Sequence, residues 1–520
     1  MWEVILAVVV VSFTAFYFYV KYKMSYWRRH GVAEDPGFFP FGGQYMYDMG
    51  SQKIAFTQMT DSVYKEHPNA PVVGTYGMFG ALSIVIRDLD IAKLILVKDF
   101  DKFMERRPAA ESFCQPHSKN NKYFPKMLLE LRGDHWKQVR SSLTPVFTSG
   151  KLKSMMPLIH QVGDNLDAHL AKNLNKEIEM KELMASTSLD VIISTGFGYE
   201  LDSFNKPENV FLDKALMMSG KKMDFKFKLI MTLAMVSPRL LRWLDLSFLN
   251  KEGEDFFVAL IKKAITDRRV SGERRNDLID ICLDILEKEK NTKSSGESIS
   301  SQQKQKEEEE VETVLIANSL LMFLAGFDTV STTSSIMLYY MAKYPECQDK
   351  LYEEICKAVE ENGESHFDYQ TIMNMPYLDM VLQESQRMYP LGHLERASGT
   401  DYKIPGTEIV IPKGIYVRIA VSAVSKDENF FPNPEVFNPE NFTAEKKANR
   451  HSLASGGFGH GPRNCIAQRF ATMEVKILVA RLLHKYRVEP CSKTVESLIP
   501  DPVSTAFLPK GGVWATFQKR

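Results

Sequence analysis

The chain has 520 residues, 44% of them hydrophobic and 25% charged, which is enough to bury a large core. Lysine plus arginine equal aspartate plus glutamate at 65 each, so the charge balance gives no support to nucleic-acid binding. Six cysteines at irregular spacing, with no CxxC pair, argue against a disulfide scaffold or a zinc site and fit a reducing compartment.

Val4 to Val20 is almost continuously apolar and is followed by Lys21, Lys23, Arg28 and Arg29. A membrane-spanning helix needs roughly 20 apolar residues, with a range of about 17–25. The positive charge lies after the run, Glu3 lies before it, and no small-residue cleavage pattern follows, so a retained anchor over residues 1–23 is expected rather than a cleaved signal peptide. The same asymmetry places the remainder, a single domain over 24–520, on the cytosolic side. Tyr26 to Tyr47, with Pro36 and Pro40, reads as a linker, and Pro71 to Ile86, alternating around Gly74, Gly77 and Gly80, as a strand hairpin.

Helical periods then dominate to about Tyr389. Trp136 and Arg140 share one helix face. Met217 to Leu249 is rich in Met, Phe and Leu, including Phe225, Phe227, Ile230, Met231, Met235 and Trp243. It can line an adaptable apolar pocket and touch a bilayer, or it can be ordinary helix core. Residues 287–312 run from Lys-rich through Ser-rich to a Gln/Lys/Glu tract, a composition that cannot bury a core and predicts a mobile linker between two helices.

Val314 to Met341 is a long apolar helix with Ala325-Gly326-Phe327-Asp328-Thr329 at its centre. Gly, Asp and Thr each cost up to about 1 kcal/mol against Ala in a helix interior, so their cluster needs a reason. Gly326 would leave room for a flat ligand. Thr329 would bond its own backbone or a water, opening the helix locally, and Asp328 would relay protons from solvent. The plain alternative is a packing glycine beside a back-bonded threonine. Glu384 and Arg387 stand at i,i+3 on one helix face. A β-rich piece follows, with Glu408 to Ile411 and Ile415 to Ile419, and then an irregular stretch, Asn429 to Phe442.

The most informative segment is Phe458-Gly459-His460-Gly461-Pro462-Arg463-Asn464-Cys465-Ile466-Ala467. Gly459 and Gly461 can adopt positive φ and turn backbone N–H groups toward the Cys465 sulfur. Arg463 is spaced to turn away from it, and Ala467 lets the following helix approach closely. Cys114, Cys282, Cys347, Cys356 and Cys491 have no comparable setting and read as structural.

This loop resembles the proximal ligand loop of the cytochromes P450, in which a cysteine thiolate binds heme iron. It departs from the family pattern at Gly457, where proline is frequent, and at Ala467, where glycine is commoner. The resemblance implies that Cys465 is the axial iron ligand, with Phe458 beside it and Arg463 reaching a heme propionate. Gly326, Asp328 and Thr329 resemble the distal-helix motif, whose acid–alcohol pair manages protons. Trp136 and Arg140 match a helix motif that reaches one propionate. Arg396, in Leu394-Glu395-Arg396, and Arg106, for which Arg107 could substitute, look like further propionate partners, since two buried carboxylates need cations. Glu384 and Arg387 resemble the family's structural pair. Its usual third partner, an arginine in Pro-Glu-Arg-Phe, is Asn441 here, so the network must close through amide bonds or a neighbouring cation.

The resemblance runs from the anchor to the final strand. It is closest to microsomal enzymes of the steroid- and xenobiotic-oxidising family 3 clan, through Trp136 to Lys153 and Leu394-Glu395-Arg396, with the nematode family 13 as the expected relatives. It implies a mainly α fold with a small β region and heme b between the distal helix and the cysteine loop. One atom of O2 would enter a lipophilic steroid, fatty acid or xenobiotic. Electrons would come from NADPH through a reductase, with cytochrome b5 able to take part, at the endoplasmic reticulum membrane. Lys137, Arg469 and Lys476 are expected on the docking face, and Phe113, Leu391, His393, Val503, Ser504 and Thr505 in the pocket. The rival readings are a heme-thiolate isomerase or dehydratase, which often lacks the acid–alcohol pair, and a non-catalytic heme protein, which has no use for it.

Overall fold

A computed structural model describes all residues except 107–113, 116–117, 206–209, 220–228, 231–232, 234–236, 276, 294–300, 364–366 and 505–506. Phe113, Thr505, Arg107, Phe225, Phe227, Met231 and Met235 therefore lie outside the described residues.

The apolar N-terminal run forms one helix, Trp2–Lys23, with a mean hydropathy of 2.1. Its side chains are exposed except near the end, where Val20 is buried and Phe16 meets Phe79 at 5.7 Å. An exposed apolar helix of this length is a candidate membrane span. A second helix of sufficient length and hydropathy lies within Ser301–Lys343, but it is largely buried in the domain.

That second helix organises the domain. It packs along helix Met180–Phe197 and against helices Gln468–Lys485, Pro376–Met388 and Lys251–Ser271. Two of the apolar clusters meet on it. Tyr339 and Met341 join the core shared with Gln468–Lys485, while Phe323 and Phe327 join the other, where Phe323 lies 4.0 Å from Phe257. The expected hairpin is strand β1 (Val72–Tyr76) antiparallel to β2 (Leu82–Ile86). Further along the chain come β3 (Ile178–Glu179), β4 (Leu394–Ala397), β5 (Tyr402–Lys403), β6 (Val410–Ile411), β7 (Tyr416–Ile419), β8 (Tyr486–Glu489) and β9 (Trp514–Lys519). The main sheet has the order β1-β2-β7-β4, and β2 pairs in parallel with β7, so residues more than 300 apart in sequence share one small layer beside the helices. The fold is mainly α with a small β region, as the sequence implied.

The reading of 287–312 as a mobile linker needs correction at both ends. Residues up to Lys293 continue the helix Leu278–Lys293, and Ser301 onward already belong to the central helix. The physical reason is that Glu, Lys and Gln are good helix formers even where they bury nothing. Ion pairs Lys126–Glu310 and Lys122–Glu309 also tie that first part of the helix to the domain.

Candidate active site

The loop that carries Cys465 is closed by its own backbone. The Cys465 N–H donates to Phe458 O at 2.9 Å, and the Asn464 N–H to Gly461 O at 3.0 Å. Gly461 has φ 72°, and a Cβ there would lie 1.9 Å from Leu96 O, so only glycine fits. The helix Gln468–Lys485 begins directly after the loop. The Ala467 N–H hydrogen-bonds the Cys465 sulfur.

Cys465 opens onto a cavity of about 970 Å³, near the top of the ~300–1,000 Å³ range of small-molecule sites. Burial pushes its thiol pKa up, while the Ala467 N–H and the guanidinium groups of Arg140 and Arg106 favour the thiolate. The central helix also lines this cavity, through Leu321, Met322, Ala325, Thr329 and Thr333, and Phe458 lines it beside the cysteine.

Four arginines converge at one side, and they differ in how far they are satisfied. Arg463 is bound to main-chain carbonyls, of Met104 at 3.0 Å and Leu131 at 2.8 Å, and lies 4.2 Å from the Trp136 ring. Arg140 grips Asn464 through its carbonyl at 2.9 Å and its side chain at 2.8 Å. Arg106 donates to Arg463 O at 2.9 Å, but its Nε has no partner. Arg396 is 1% exposed, and both its Nε and its Nη2 are unpartnered. Burial and the mutual repulsion of these cations push Arg396 and Arg463 down to about 9. Burial also lowers Arg106 and Arg140. Buried guanidinium N–H groups without acceptors are costly. A group bearing two carboxylates beside the cysteine would satisfy them, so this donor set fits heme and its propionates.

The chain belongs to the cytochrome P450 family. The cytochrome P450 family model matches residues 52–515. The chain is 34% identical to cytochrome P450 6k1 of Blattella germanica over 527 residues, covering 99% of this chain and 96% of that one. It is 32% identical to cytochrome P450 6a2 of Drosophila melanogaster over the full length of both, and 32% identical to cytochrome P450 6B2 of Helicoverpa armigera over 98% of this chain and 96% of that one. It is thus a heme-thiolate monooxygenase, an oxidoreductase of a family that uses redox partners, O2 and small-molecule substrates.

Several expectations change once side chains are placed. Gly326 lines the cavity, and a Cβ there would come 3.1 Å from Ile192 Cδ1, so the glycine also allows close approach of helix Met180–Phe197. Thr329 does bond its own backbone, donating to Ala325 O at 2.7 Å, yet the helix stays closed. Its hydroxyl adds a bond to a carbonyl without displacing the N–H, and Thr332, Thr333 and Ser335 do the same.

Asp328 does not line the cavity. It pairs with Lys181 Nζ at 2.8 Å, and Lys181 also reaches Asp328 O and Ser331 Oγ. Lys476 is not on a docking face. It is 1% exposed and pairs with Asp379 at 3.1 Å, because it lies on the packed side of its helix. Lys137 and Arg469 are exposed.

Of the other pocket expectations, Leu391 and His393 line the cavity, whereas Val503 and Ser504 are not among its lining residues. Burial pushes His393 down to about 4, so it stands as a neutral imidazole at pH 7. Ile230 is core and Trp243 is 74% exposed.

Glu384 and Arg387 form a fully buried bidentate pair at 2.7 and 2.8 Å. Asn441 donates its amide to Glu384 at 3.2 Å, and the Asn438 N–H adds another bond at 2.8 Å. Arg450 donates to Asn441 O and stacks 4.1 Å from the Phe431 ring. The missing arginine of the family motif is thus replaced by an amide with a cation behind it. Sequence reasoning also missed Glu474, which is 1% exposed and accepts from Ser188 Oγ at 3.1 Å.

Proposed function

We propose that the chain oxidises lipophilic small molecules of the steroid, fatty acid or xenobiotic class at the endoplasmic reticulum membrane. It would take electrons from NADPH through a flavoprotein reductase, and cytochrome b5 can take part. The observation that carries this reading is one cavity lined by Cys465 and by Arg106, whose Nε is unpartnered, with the buried and unpartnered Arg396 in the same cationic cluster. Cys465 would be the axial ligand, and Arg106 and Arg396 would meet the propionates. Arg463, Arg140 and Trp136 would hold the loop and the helix that frame them. With heme bound, the site would supply reductive activation of O2, one oxygen atom entering the substrate and the other leaving as water.

The residues' own work is positioning and proton handling. Val146, Phe147, Ile192, Leu321, Met322 and Phe507 contribute apolar lining to the cavity, which favours lipophilic substrates. Thr329 Oγ1, which lines the cavity and donates to Ala325 O, can accept a second hydrogen bond and so hold a proton donor there. Asp328, gripped by Lys181, would serve from behind the helix rather than from inside the cavity. The exposed Lys137 and Arg469 support an electron donor approaching the cysteine side, and the exposed apolar helix Trp2–Lys23 supports a single-pass anchor.

The test is reconstitution in vesicles with a P450 reductase and a panel of lipophilic compounds. Compounds that move the heme Soret band are expected to stimulate NADPH consumption and yield a product one oxygen heavier. Isomerised product formed without reductase would favour the peroxide-isomerase reading.

A further inference from the structure

A second cluster of ligating groups sits behind the anchor, and none of its members lines the cavity. Asp35, Glu66 and His67 each offer one ligand atom, and the three atoms lie within 4.8 Å of one another. Asp35 is fixed by its backbone, whose N–H donates to Gly74 O at 2.9 Å beside β1. Glu66 and His67 close the helix Asp61–Glu66. Asp35 is only 6% exposed, and its Oδ2 has no hydrogen-bond partner. It is walled in, since a Cβ on Gly43 would come within 2.6 Å of that oxygen. Buried carboxylates are ordinarily hydrogen-bonded or paired with a cation. Neither is found here. Among the described residues, no lysine or arginine pairs with Asp35 or Glu66, and the nearby Arg28 is taken by Glu34 at 3.4 Å. Glu34 is otherwise bound to the Tyr76 hydroxyl at 2.5 Å.

We propose that Asp35, Glu66 and His67 bind one Zn²⁺ ion, clipping the segment behind the anchor to the helix Asp61–Glu66. The donor set selects the metal. One imidazole nitrogen with two carboxylate oxygens suits zinc, whereas calcium and magnesium favour all-oxygen sets. Three protein ligands leave a fourth position for water. Zinc–ligand bonds of about 2.0–2.2 Å put tetrahedral ligand atoms roughly 3.4 Å apart. The exposed Glu66 and the half-buried His67 can close that gap by rotating while Asp35 stays fixed. The cysteine pattern excluded thiolate zinc sites, and this site uses no thiolate.

The heme-loaded full-length enzyme, purified in detergent without a polyhistidine tag and stripped with EDTA, is titrated with ZnCl2 against a chromophoric chelator. Bound zinc is counted per heme by mass spectrometry. One zinc per heme is expected. Affinity should fall at least about tenfold in His67→Ala and in Glu66→Gln, by analogy with the 10–100-fold cost of losing supporting groups around metals. Zinc should also raise the thermal midpoint of the wild type and not of His67→Ala. Glu66 and His67 lie at the surface, and the carbon-monoxide spectrum of each variant verifies that it is folded, so the test holds even if Asp35→Asn fails to fold. Equal zinc uptake by wild type and His67→Ala, or no zinc retained by the wild type at micromolar free zinc, would overturn the proposal.

Discussion

Glu474 offers a direct test of how burial is handled beside the active site. It lies on the helix that follows the cysteine loop, is 1% exposed, and has one side-chain hydrogen bond, from Ser188 Oγ at 3.1 Å. Ser188 also faces Gly326 O of the central helix at 3.5 Å. Burial pushes the carboxyl from its ordinary 4.5 up to about 8. The folded protein therefore keeps this proton at neutral pH, while the unfolded chain releases it above about 4.5. Stability is flat below that pH, falls as pH rises toward about 8, and is flat again above. At about 1.4 kcal/mol per pH unit, the loss is roughly 3 kcal/mol by pH 7 and roughly 5 kcal/mol by pH 8. Glu474→Gln keeps the shape and the acceptor for Ser188 but cannot ionise. Its thermal midpoint relative to wild type should climb steadily from pH 5 to pH 8, by about 4 °C for a chain of this length, and then level off. Any fixed cost of the new amide shifts both ends equally, so the slope is diagnostic. Parallel midpoints from pH 5 to 8.5, measured at one scan rate, would refute the reasoning.

Cys465→His should abolish the long-wavelength Soret band of the reduced carbon-monoxide complex, and retention of that band would remove Cys465 as the ligand. Thr329→Val keeps volume and loses the hydroxyl. It should preserve substrate-induced spectral shifts while diverting NADPH oxidation to hydrogen peroxide, with a loss of product on the scale of general acid–base catalysis, about 10²–10⁴-fold. Unchanged product per NADPH would assign the threonine to packing. Deleting Met1 to Tyr22 should leave a heme-binding protein that is released more readily from membranes, checked by carbonate or high-salt extraction. Equal retention would show that the domain itself holds the membrane.

The elements set by one-dimensional patterns were legible. The apolar run became helix Trp2–Lys23, the glycine-punctuated alternation became the β1–β2 pair, and the cysteine loop stood out because its residue types are rare together. What could not be read was where each polar side chain would end. Asp328 and Lys181 are 147 residues apart, and only the packing of two helices brings them together. Lys476 looked like a surface charge because a lysine is ordinarily solvated, yet it sits in the apolar run Val475 to Ala480 and its helix turns it inward to Asp379. The two ends of the linker were misread because composition reports whether a segment can make a core, not whether it can extend a helix that a core already anchors.

The arginines show the same boundary at the site itself. The family resemblance nominated Arg106, Arg140, Arg396 and Arg463 as propionate partners, with Arg107 as the substitute for Arg106, because two buried carboxylates need cations. Their surroundings make them unequal. Arg463 and Arg140 spend their N–H groups on Met104, Leu131 and Asn464, which fixes the loop and the helix Gly133–Leu143 against each other. Arg106 keeps an unpartnered nitrogen on the cavity, and Arg396 keeps two, buried in the same cationic cluster but not among the lining residues. Removing a satisfied arginine should therefore loosen the frame, whereas removing an unsatisfied one relieves repulsion in the empty protein. Arg396→Leu is thus expected to raise the thermal midpoint of the heme-free protein while weakening heme retention, and Arg140→Leu to lower both. If both variants destabilise the heme-free protein alike, the unpartnered nitrogens are not poised for an anion and the division of labour among the four arginines is wrong.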